Sequence, residues 1–250
     1  MLAAGAWLGG CAGPKFSAHD CDQASCAGVA GEAAGATSTG GSGTGGSNGG
    51  SANTGGSSPV GGNAGGTGVP DFPRFGVLDD FNRSGPSLGS NWGGALDRYE
   101  LRERALTCSV TYCPAVFWAR EFGVEQEVFA TLVSFSNESN EINLVLKGQQ
   151  STECDLMEVL YSPAREELWL EACWETSWHT LGIIDISLEP GDQLGGRVGS
   201  DGFVDLFRNG VQVGRFDAND FPFIGTGGRI GANGVASGDE ANVWDDFGGG

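Results

Sequence analysis

Basic residues are scarce in this chain. Its 250 residues include 13 Lys and Arg against 32 Asp and Glu, which gives a formal net charge of −19. Nucleic-acid binding depends on clustered Lys and Arg that contact phosphates, so we expect no nucleic-acid partner. The same balance argues against direct binding to an anionic membrane surface. A neutral or cationic partner, a divalent cation, or simple solubility remain open as reasons for the acidity.

Several other signals are also missing. The only histidines are His19 and His179 and there is no Cys-x-x-Cys pair, so a zinc site is not indicated. No stretch keeps the 3.6-residue period of an amphipathic helix, and no run of 18 apolar residues could span a membrane. No Gly-x-Ser-x-Gly nucleophile motif occurs. The sequence therefore does not indicate a helical protein, a membrane-spanning helix or a serine hydrolase of that type.

The seven cysteines are unevenly spaced and predict a disulfide framework. Six of them can form 15 sets of pairs in principle, but close spacing favours three local disulfides. A disulfide framework in turn predicts an oxidising compartment outside the cytoplasm. Cys11 is left over. The predicted pairs are Cys21–Cys26, Cys108–Cys113 and Cys154–Cys173.

The leftover cysteine follows a short apolar run at the N-terminus. The run Met1–Gly10 leads into Leu8-Gly9-Gly10-Cys11, which resembles the lipobox of bacterial lipoprotein signal peptides, although the basic segment of that pattern is absent. The resemblance implies that residues 1–10 belong to a signal peptide and that Cys11 is lipidated. Membrane contact would then occur only through that lipid. The expected location is extracytoplasmic, at the bacterial outer membrane or cell surface.

A polar, glycine-rich segment separates this N-terminus from the rest. Gly28–Pro70 consists almost entirely of Gly, Ser, Thr, Asn and Ala, with Glu32 as its only charge. Such a composition cannot bury enough apolar surface to offset the entropy of ordering. We therefore predict that residues 11–70 form a lipidated, cysteine-containing N-terminus followed by a disordered tether, and that the folded domain comprises residues 71–250.

From Asp71 onward the sequence consists of short β-rich runs separated by turn residues. This pattern predicts an all-β, two-sheet antiparallel sandwich. Val77–Phe81 and Val243–Phe247 have nearly the same sequence, VLDDF and VWDDF, so we expect these terminal strands to lie side by side. The predicted strands are Gly76–Phe81, Tyr99–Cys108, Ala115–Arg120, Glu127–Phe135, Ile142–Lys147, Leu156–Tyr161, Leu168–Trp174, Leu181–Ser187, Gln193–Ser200, Phe203–Arg208, Val211–Phe216, Arg229–Asn233 and Ala241–Phe247.

Two hairpins have a predicted register. Asn209-Gly210 is a strong two-residue turn signal, and it places Arg208 opposite Val211, Leu206 opposite Val213, and Val204 opposite Arg215. Both faces of this hairpin are apolar, which predicts a place inside a larger sheet. The Cys154–Cys173 pair sets the register of a second hairpin. There Met157 faces Leu170, Val159 faces Leu168, and Glu158 faces Trp169, so that Met157, Val159, Leu168 and Leu170 form the core face.

Three segments together resemble a known superfamily. They are LDDFNRSGPSLGSNW at Leu78–Trp92, GDQLGGRVGSDGFVDLFRNGVQVG at Gly191–Gly214, and the terminal GGRIGANG and WDDFGGG. These resemble the concanavalin A-like lectin/glucanase superfamily, and more narrowly the laminin-G-like jelly-roll domains of secreted bacterial proteins. The resemblance covers about residues 75–250 and implies a jelly-roll sandwich.

Two functions follow from this resemblance. Glu153, Asp155 and Glu158 fit Glu-x-Asp-x-x-Glu, which resembles the catalytic motif of laminarinase- and lichenase-type glucanases and implies a retaining glycoside hydrolase with Glu153 as nucleophile and Glu158 as acid/base. On a regular strand Glu158 would point away from the other two, so this function requires a β-bulge. Cys154 stands where those enzymes usually have an apolar residue. We favour a non-catalytic module over an enzyme.

The favoured function is carbohydrate binding through aromatic and acidic side chains. Sugar rings stack on aromatic faces while carboxylates accept hydroxyl protons. Burial of the same tryptophans in the core is the competing interpretation, and Trp92 and Trp244 are expected there. A third hypothesis is a structural or adhesive protein of the cell envelope. The predicted ligand-binding residues are Trp118, Glu158, Trp169, Glu171 and Trp174.

We predict no cofactor, but a structural calcium ion is an alternative. Calcium takes six to eight oxygen ligands, which neighbouring loops of a jelly roll can supply. No EF-hand loop is present, so solvated turns are the simpler account. The acidic pairs considered are Asp201 with Asp205, Asp217 with Asp220, Asp239 with Glu240, and the paired aspartates of both terminal strands.

Overall fold

Two antiparallel β-sheets pack face to face, as the sequence predicts. The structure is a computed structural model that describes residues 71–108, 110–136, 141–236 and 241–250. Within these residues, the only helix is one 3-10 turn at Leu96–Arg98. The strands are β1 (Val77–Asp79), β2 (Trp92–Gly94), β3 (Tyr99–Arg102), β4 (Ala105–Cys108), β5 (Tyr112–Trp118), β6 (Gln126–Ser134), β7 (Glu141–Gly148), β8 (Leu156–Ser162), β9 (Glu167–Trp174), β10 (Ser177–Asp185), β11 (Gln193–Val198), β12 (Phe203–Arg208), β13 (Val211–Asp217), β14 (Arg229–Val235) and β15 (Val243–Gly249).

The strand order interleaves distant parts of the chain. Sheet I has the order β13-β12-β11-β6-β15-β4-β3, and β1 pairs with β15; sheet II has the order β10-β9-β8-β7-β14-β5-β2. The predicted pairing of the two terminal strands is confirmed, because Val77 lies opposite Gly248 in an antiparallel pair. None of the helices in the described ranges is long and apolar enough to cross a membrane.

The main core lies between the two sheets. Trp244, Phe247 and Phe81 are fully enclosed there, and Trp92 donates from Nε1 to Asp79 Oδ2 at 2.7 Å. The core positions expected for Trp92 and Trp244 are therefore confirmed. A buried indole with its N–H satisfied contributes a large apolar area without leaving a polar group unpaired. A smaller cluster of Phe72, Phe129 and Phe207 lies on the other face of sheet I.

Two of the three predicted disulfides are confirmed. Cys108–Cys113 and Cys154–Cys173 are bonded, with S–S distances of 2.05 and 2.03 Å. The predicted Cys21–Cys26 pair, the lipidation of Cys11 and the tether all lie outside the described residues.

The Asn209-Gly210 turn is present, but the predicted register holds only next to it. Arg208 pairs with Val211, whereas farther from the turn a bulge shifts the partners by one, so that Leu206 faces Gly214. The bulge also places Val204 opposite Phe216 rather than Arg215. Both turn residues have positive φ, 51° and 78°, which Asn and Gly tolerate best.

Only one of the two strands of this hairpin lies in the interior of the sheet. β12 is covered on both faces, with Val204 and Leu206 in the main core and Phe207 in the smaller cluster. β13 instead forms the edge of sheet I, and Val211 is 64% exposed. The apolar composition predicted an interior position for both strands, and the exposed edge corrects it for β13.

In the β8–β9 hairpin the predicted register is wrong by two residues, but the predicted faces are right. Met157 pairs with Ala172, Val159 with Leu170, and Glu158 with Glu171. A left-handed Asp155, with φ of 58°, lies between the disulfide and the first paired residue. Because side chains alternate with a period of two, an even shift leaves every side chain on its original face. All four predicted core-face residues are fully buried in the main core: Met157, Val159, Leu168 and Leu170.

Two tight turns escape detection in the sequence. Glu103-Arg104 divides the predicted strand Tyr99–Cys108 into β3 and β4, and Glu175-Thr176 starts β10 earlier than predicted. All four residues have positive φ, between 51° and 66°. Such two-residue turns normally carry Asn or Gly, so neither segment has a sequence signal for its turn.

Lys147 near the end of β7 is fully buried and ties two loops to the sheet. Its Nζ donates to the backbone oxygen of Thr226 at 2.7 Å and also to that of Val124. Burial lowers the pKa of Lys147 from 10.5 to about 8, because the charged form is poorly solvated there.

This shift predicts a stability that rises with pH. Between pH 8 and 10.5 the unfolded chain binds more protons at Lys147 than the folded chain does, so stability increases with pH in that window. From pH 7 to 9 the gain should be about 1 kcal/mol. Urea unfolding of the full chain and of Lys147→Met at both pH values measures it. Equal pH dependence in the two proteins would contradict this origin.

Candidate functional site

The face of sheet II that points away from the core carries a group of polar side chains. On β8, Met157 and Val159 face the core, so Glu158 points to the opposite, outer face of sheet II. The same alternation places Trp169 and Glu171 of β9 on this face. Since Glu158 pairs directly with Glu171, two carboxylates lie side by side, at the distance of cross-strand neighbours.

Asparagines from two more strands hold Glu158 in place. Asn143 of β7 donates from Nδ2 to Glu158 Oε2 at 3.1 Å, and Asn233 of β14 donates from Nδ2 to the other carboxylate oxygen. Because both oxygens of Glu158 accept from amide nitrogens, each amide has its nitrogen inward and its oxygen turned away. Neither amide oxygen has a hydrogen-bond partner within the described residues, although both are buried. Two acceptors therefore lie unused beside Glu158.

The second carboxylate and the aromatic ring are also positioned by hydrogen bonds. Thr180 of β10 donates from Oγ1 to Glu171 Oε1 at 2.8 Å. Trp169 donates from Nε1 to Glu167 at 2.9 Å, and the guanidinium of Arg165 lies 5.2 Å from its ring centroid. Glu158, Glu171 and Trp169 are buried, whereas Thr180 is exposed. Thr180, on the edge strand β10, is therefore the exposed member of this hydrogen-bonded set.

Several carboxylates surround Tyr112 of β5, which lies near Glu158. Burial and then the charges of Glu153, Glu158 and Glu141 raise the pKa of Tyr112 well above its ordinary value. The phenol of Tyr112 therefore stays protonated at neutral pH. Such a surface disfavours anions and suits neutral or cationic ligands.

Three of the five predicted ligand-binding residues share the outer face, and two do not. Glu158, Trp169 and Glu171 lie together there. Trp118 and Trp174 project from the opposite side of sheet II and pack against the main core. Trp118 makes an edge contact with Trp92, with ring centroids 5.6 Å apart. Trp174 stacks on His179, with ring centroids 3.5 Å apart. The five residues do not form one continuous surface.

Asn143 and Asn233 are the residues that sequence reasoning missed. Each is the one amide within an otherwise apolar or glycine-rich strand, INLVLK and RIGANGV. A polar residue at a buried strand position needs a partner, so this interruption is the signal that could have found them. Their meeting at Glu158 depends on the pairing of β14 with β7, which no local pattern predicts.

The carboxylates of the Glu-x-Asp-x-x-Glu pattern are spread over a loop and a strand. β8 begins only at Leu156, so Glu153 and Asp155 precede it. Glu153 is exposed, and its N–H donates to Ser151 Oγ at 3.1 Å. Asp155 has a positive φ of 58° and its N–H donates to the carbonyl of Cys173 at 2.9 Å. The carboxylate next to Glu158 is that of its cross-strand partner, Glu171 of β9.

The acidic pairs considered for calcium are engaged in other contacts. Arg215 binds both Asp201 and Asp205, the latter at 2.9 Å. Asp217 accepts from Asn219, and Asp79 forms a two-point ion pair with Arg83. Within the described residues, no group of three or more His, Cys, Asp or Glu is arranged to hold a metal ion. Asp239 and Glu240 lie outside those residues.

The terminal strands bring four aspartates together. Burial raises the pKa of Asp245, and the negative charges of Asp246, Asp80 and Asp79 add to the increase, against a hydrogen bond from the Asp246 N–H that lowers it. This proximity follows from the pairing of β1 with β15.

The fold is the concanavalin A-like jelly roll that the sequence resembles. The structure is similar to the carbohydrate-binding module CBM66 from Bacillus subtilis, with a TM-score of 0.50 and 9% identity over 63% of this chain and 94% of that one. It is also similar to the GH43 protein BlXynB from Bacillus licheniformis, with a TM-score of 0.50 and 19% identity over 71% of this chain and 39% of that one. At these identities the similarity concerns the fold alone. No family model and no curated protein matches the sequence.

Proposed function

We propose that the protein binds carbohydrate on the outer face of sheet II, around Glu158. The observation that carries this proposal is the pair of unused amide oxygens of Asn143 and Asn233. A buried acceptor without a donor is costly, and a ligand hydroxyl supplies that donor. Sugars offer many hydroxyls that donate and accept at once, so they can bond to these oxygens and to the carboxylates together.

The charge and the fold support the same ligand class. The outer face carries carboxylates around Tyr112 and Glu158, so a neutral glycan fits it better than an anionic one. The similar structures include a protein named as a carbohydrate-binding module and one named as a GH43 protein. We favour binding without hydrolysis, because Glu153 and Asp155 of the glucanase-like pattern lie outside β8.

The test is affinity gel electrophoresis of the full chain against a panel of neutral polysaccharides. We expect at least one polysaccharide to retard the protein. Glu158→Gln should weaken that binding about 10-fold or more, because it removes a charged acceptor and releases two amides. Glu153→Gln is the matched control, since it makes the same change at an exposed carboxylate of the preceding loop. Thermal unfolding checks that both variants remain folded.

Each alternative has its own outcome. Equal loss of retardation in Glu153→Gln and Glu158→Gln would contradict the proposed site. Release of reducing sugar by the wild-type chain, abolished by Glu158→Gln, would replace binding with hydrolysis. Loss of retardation on adding EDTA would show that calcium takes part. If no polysaccharide retards the chain, the hypothesis of a structural or adhesive envelope protein is supported instead.

A further inference from the structure

A second polar cleft lies on the far side of the sandwich, on the outer face of sheet I. Its volume is about 300 Å³. Arg197 of β11 forms its base, Asp205 and Arg215 of β12 and β13 form one wall, and Phe75 lies at its mouth. Nothing in the proposed carbohydrate face of sheet II contributes to this cleft.

Arg197 is held by several contacts, but its Nη1 group, which carries two N–H donors, is not used by them. Its Nε and Nη2 donate to Glu127 Oε2 at 2.8 and 2.6 Å, and Nη2 also donates to the carbonyl of Asp71 at 2.7 Å. Its guanidinium carbon lies 5.3 and 5.2 Å from the ring centroids of Phe72 and Phe207. Arg197 is only 7% exposed, and its Nη1 has no hydrogen-bond partner in the described part of the chain.

Hydrogen-bond acceptors lie on the strand next to Arg197, where Asp205 is its cross-strand partner, and they are also held in place. Arg215 donates from Nη1 to both oxygens of Asp205, at 2.9 and 3.0 Å, and from Nη2 to Asp201. Gln212 adds a donor to Asp205 at 2.8 Å. Each carboxylate oxygen can accept more than one hydrogen bond, so the wall still has acceptor capacity.

The charges of the cleft nearly balance. It is lined by three arginines and four carboxylates, which are Arg74, Arg197, Arg215, Glu125, Glu127, Asp201 and Asp205. An anion would gain the free Nη1 group but would face the excess of carboxylates. A neutral polyol avoids this repulsion, because its hydroxyls accept from the arginine and donate to the carboxylates.

The mouth and the size of the cleft restrict the ligand further. Phe75 is 50% exposed, and its ring lies close to Gly250. An exposed ring beside fixed polar groups suits the apolar face of a sugar. A volume of about 300 Å³ is at the lower end for ligand pockets, which suits a small ligand such as one ring.

We propose that this cleft is a second carbohydrate site, which binds a single neutral sugar ring with Arg197 Nη1 donating to one hydroxyl, Asp205 and Asp201 accepting from others, and Phe75 stacking on the ring. A site of this shape recognises a terminal sugar of a glycan, whereas the long face of sheet II suits a chain.

The test follows the arginine signals of the ¹⁵N-labelled full chain by NMR during titration with neutral monosaccharides, among them glucose, galactose, mannose, xylose, arabinose and fructose. We expect at least one sugar to shift the Nε–H signals of Arg197 and Arg215 in a saturable way. Ser200→Tyr places a bulky group in the cleft without removing any of its hydrogen bonds, and should raise the dissociation constant at least 10-fold. Ser84→Tyr, at an exposed position elsewhere, is the matched control.

The proposal is wrong if no neutral sugar shifts the arginine signals up to the solubility limit, or if Ser84→Tyr weakens binding as much as Ser200→Tyr. Tighter binding of glucuronate or inorganic phosphate would make the cleft an anion site instead. Polysaccharide retardation that Glu158→Gln weakens and Ser200→Tyr does not alter reports on sheet II alone, so the two proposals fail independently.

Discussion

Replacing Arg197 with methionine is expected to lower the free energy of unfolding by about 3–5 kcal/mol. The reason is that Glu127, only 1% exposed, would keep a buried charge without its partner. Two backbone N–H groups, those of Arg74 and Phe75, would still donate to its other oxygen at 2.7 and 3.2 Å. They satisfy the acceptor only in part and do not neutralise the charge.

A double-mutant cycle separates this effect from the loss of packing on Phe72 and Phe207. Arg197→Met combined with Glu127→Met removes both charges, so no charge remains unpaired. We expect the double variant to lose much less stability than the sum of the two single variants. Denaturant unfolding of all four proteins gives the coupling. Strict additivity would mean that the ion pair itself contributes little and that the loss comes from packing.

Opening the disulfide between Cys154 and Cys173 is the second large effect that we expect. These cysteines are 19 residues apart, and closing a loop of that length stabilises a protein by about 3 kcal/mol through the entropy of the unfolded chain. The variant Cys154→Ala/Cys173→Ala should lose about that much free energy of unfolding. An unchanged unfolding midpoint in this variant would contradict the prediction.

The other disulfide provides a comparison. Cys108 and Cys113 are only 5 residues apart, so the same relation gives about 2 kcal/mol for their bond. Their sulfur atoms are buried in the core, and replacing them with Ala therefore adds a packing loss. Addition of a reductant to each double variant opens the one remaining disulfide of the β-sandwich, and any contribution from the predicted Cys21–Cys26 bond is the same in both variants. The shift should be larger when Cys154–Cys173 is the bond that opens.

The 154–173 bond also matters for the proposed carbohydrate face. Cys173 pairs with Leu156, two residues before Glu158, so the bond anchors the end of the hairpin that carries both carboxylates. Its removal should therefore weaken polysaccharide retardation as well as stability. Removal of the 108–113 bond leaves that hairpin untouched.

The sequence predicted the faces of the strands better than their partners. On β8 and β9 the alternation identified the core side correctly although the register was off by two residues, since an even shift conserves the face. In the Asn209-Gly210 hairpin a single-residue bulge was enough to bring Phe216 opposite Val204. A bulge leaves no signal in the composition of a strand, so the register beyond it could not be predicted.

The candidate site was only partly predictable, because part of it depends on the order of the strands in sheet II. Glu158, Trp169 and Glu171 belong to one hairpin, where local alternation alone places them together. Asn233 is 75 residues away from Glu158 in the chain and reaches it only because β14 lies beside β7. Trp118 and Trp174, which were predicted to bind ligand with them, lie on the opposite face of sheet II, and on β9 Trp174 has the same alternation as Leu168 and Leu170.

By itself, the sequence determined the all-β class, the two described disulfides, the Asn-Gly turn and the alternation of core and outer side chains. All of these depend on residues close together in the chain, where backbone geometry and a period of two suffice. Only the tertiary structure decided that asparagines of two strands converge on Glu158 and that Arg197 meets Glu127, 70 residues away. Contacts of this kind depend on the order of strands in a sheet. That order is set by the packing of the whole core and not by any local pattern.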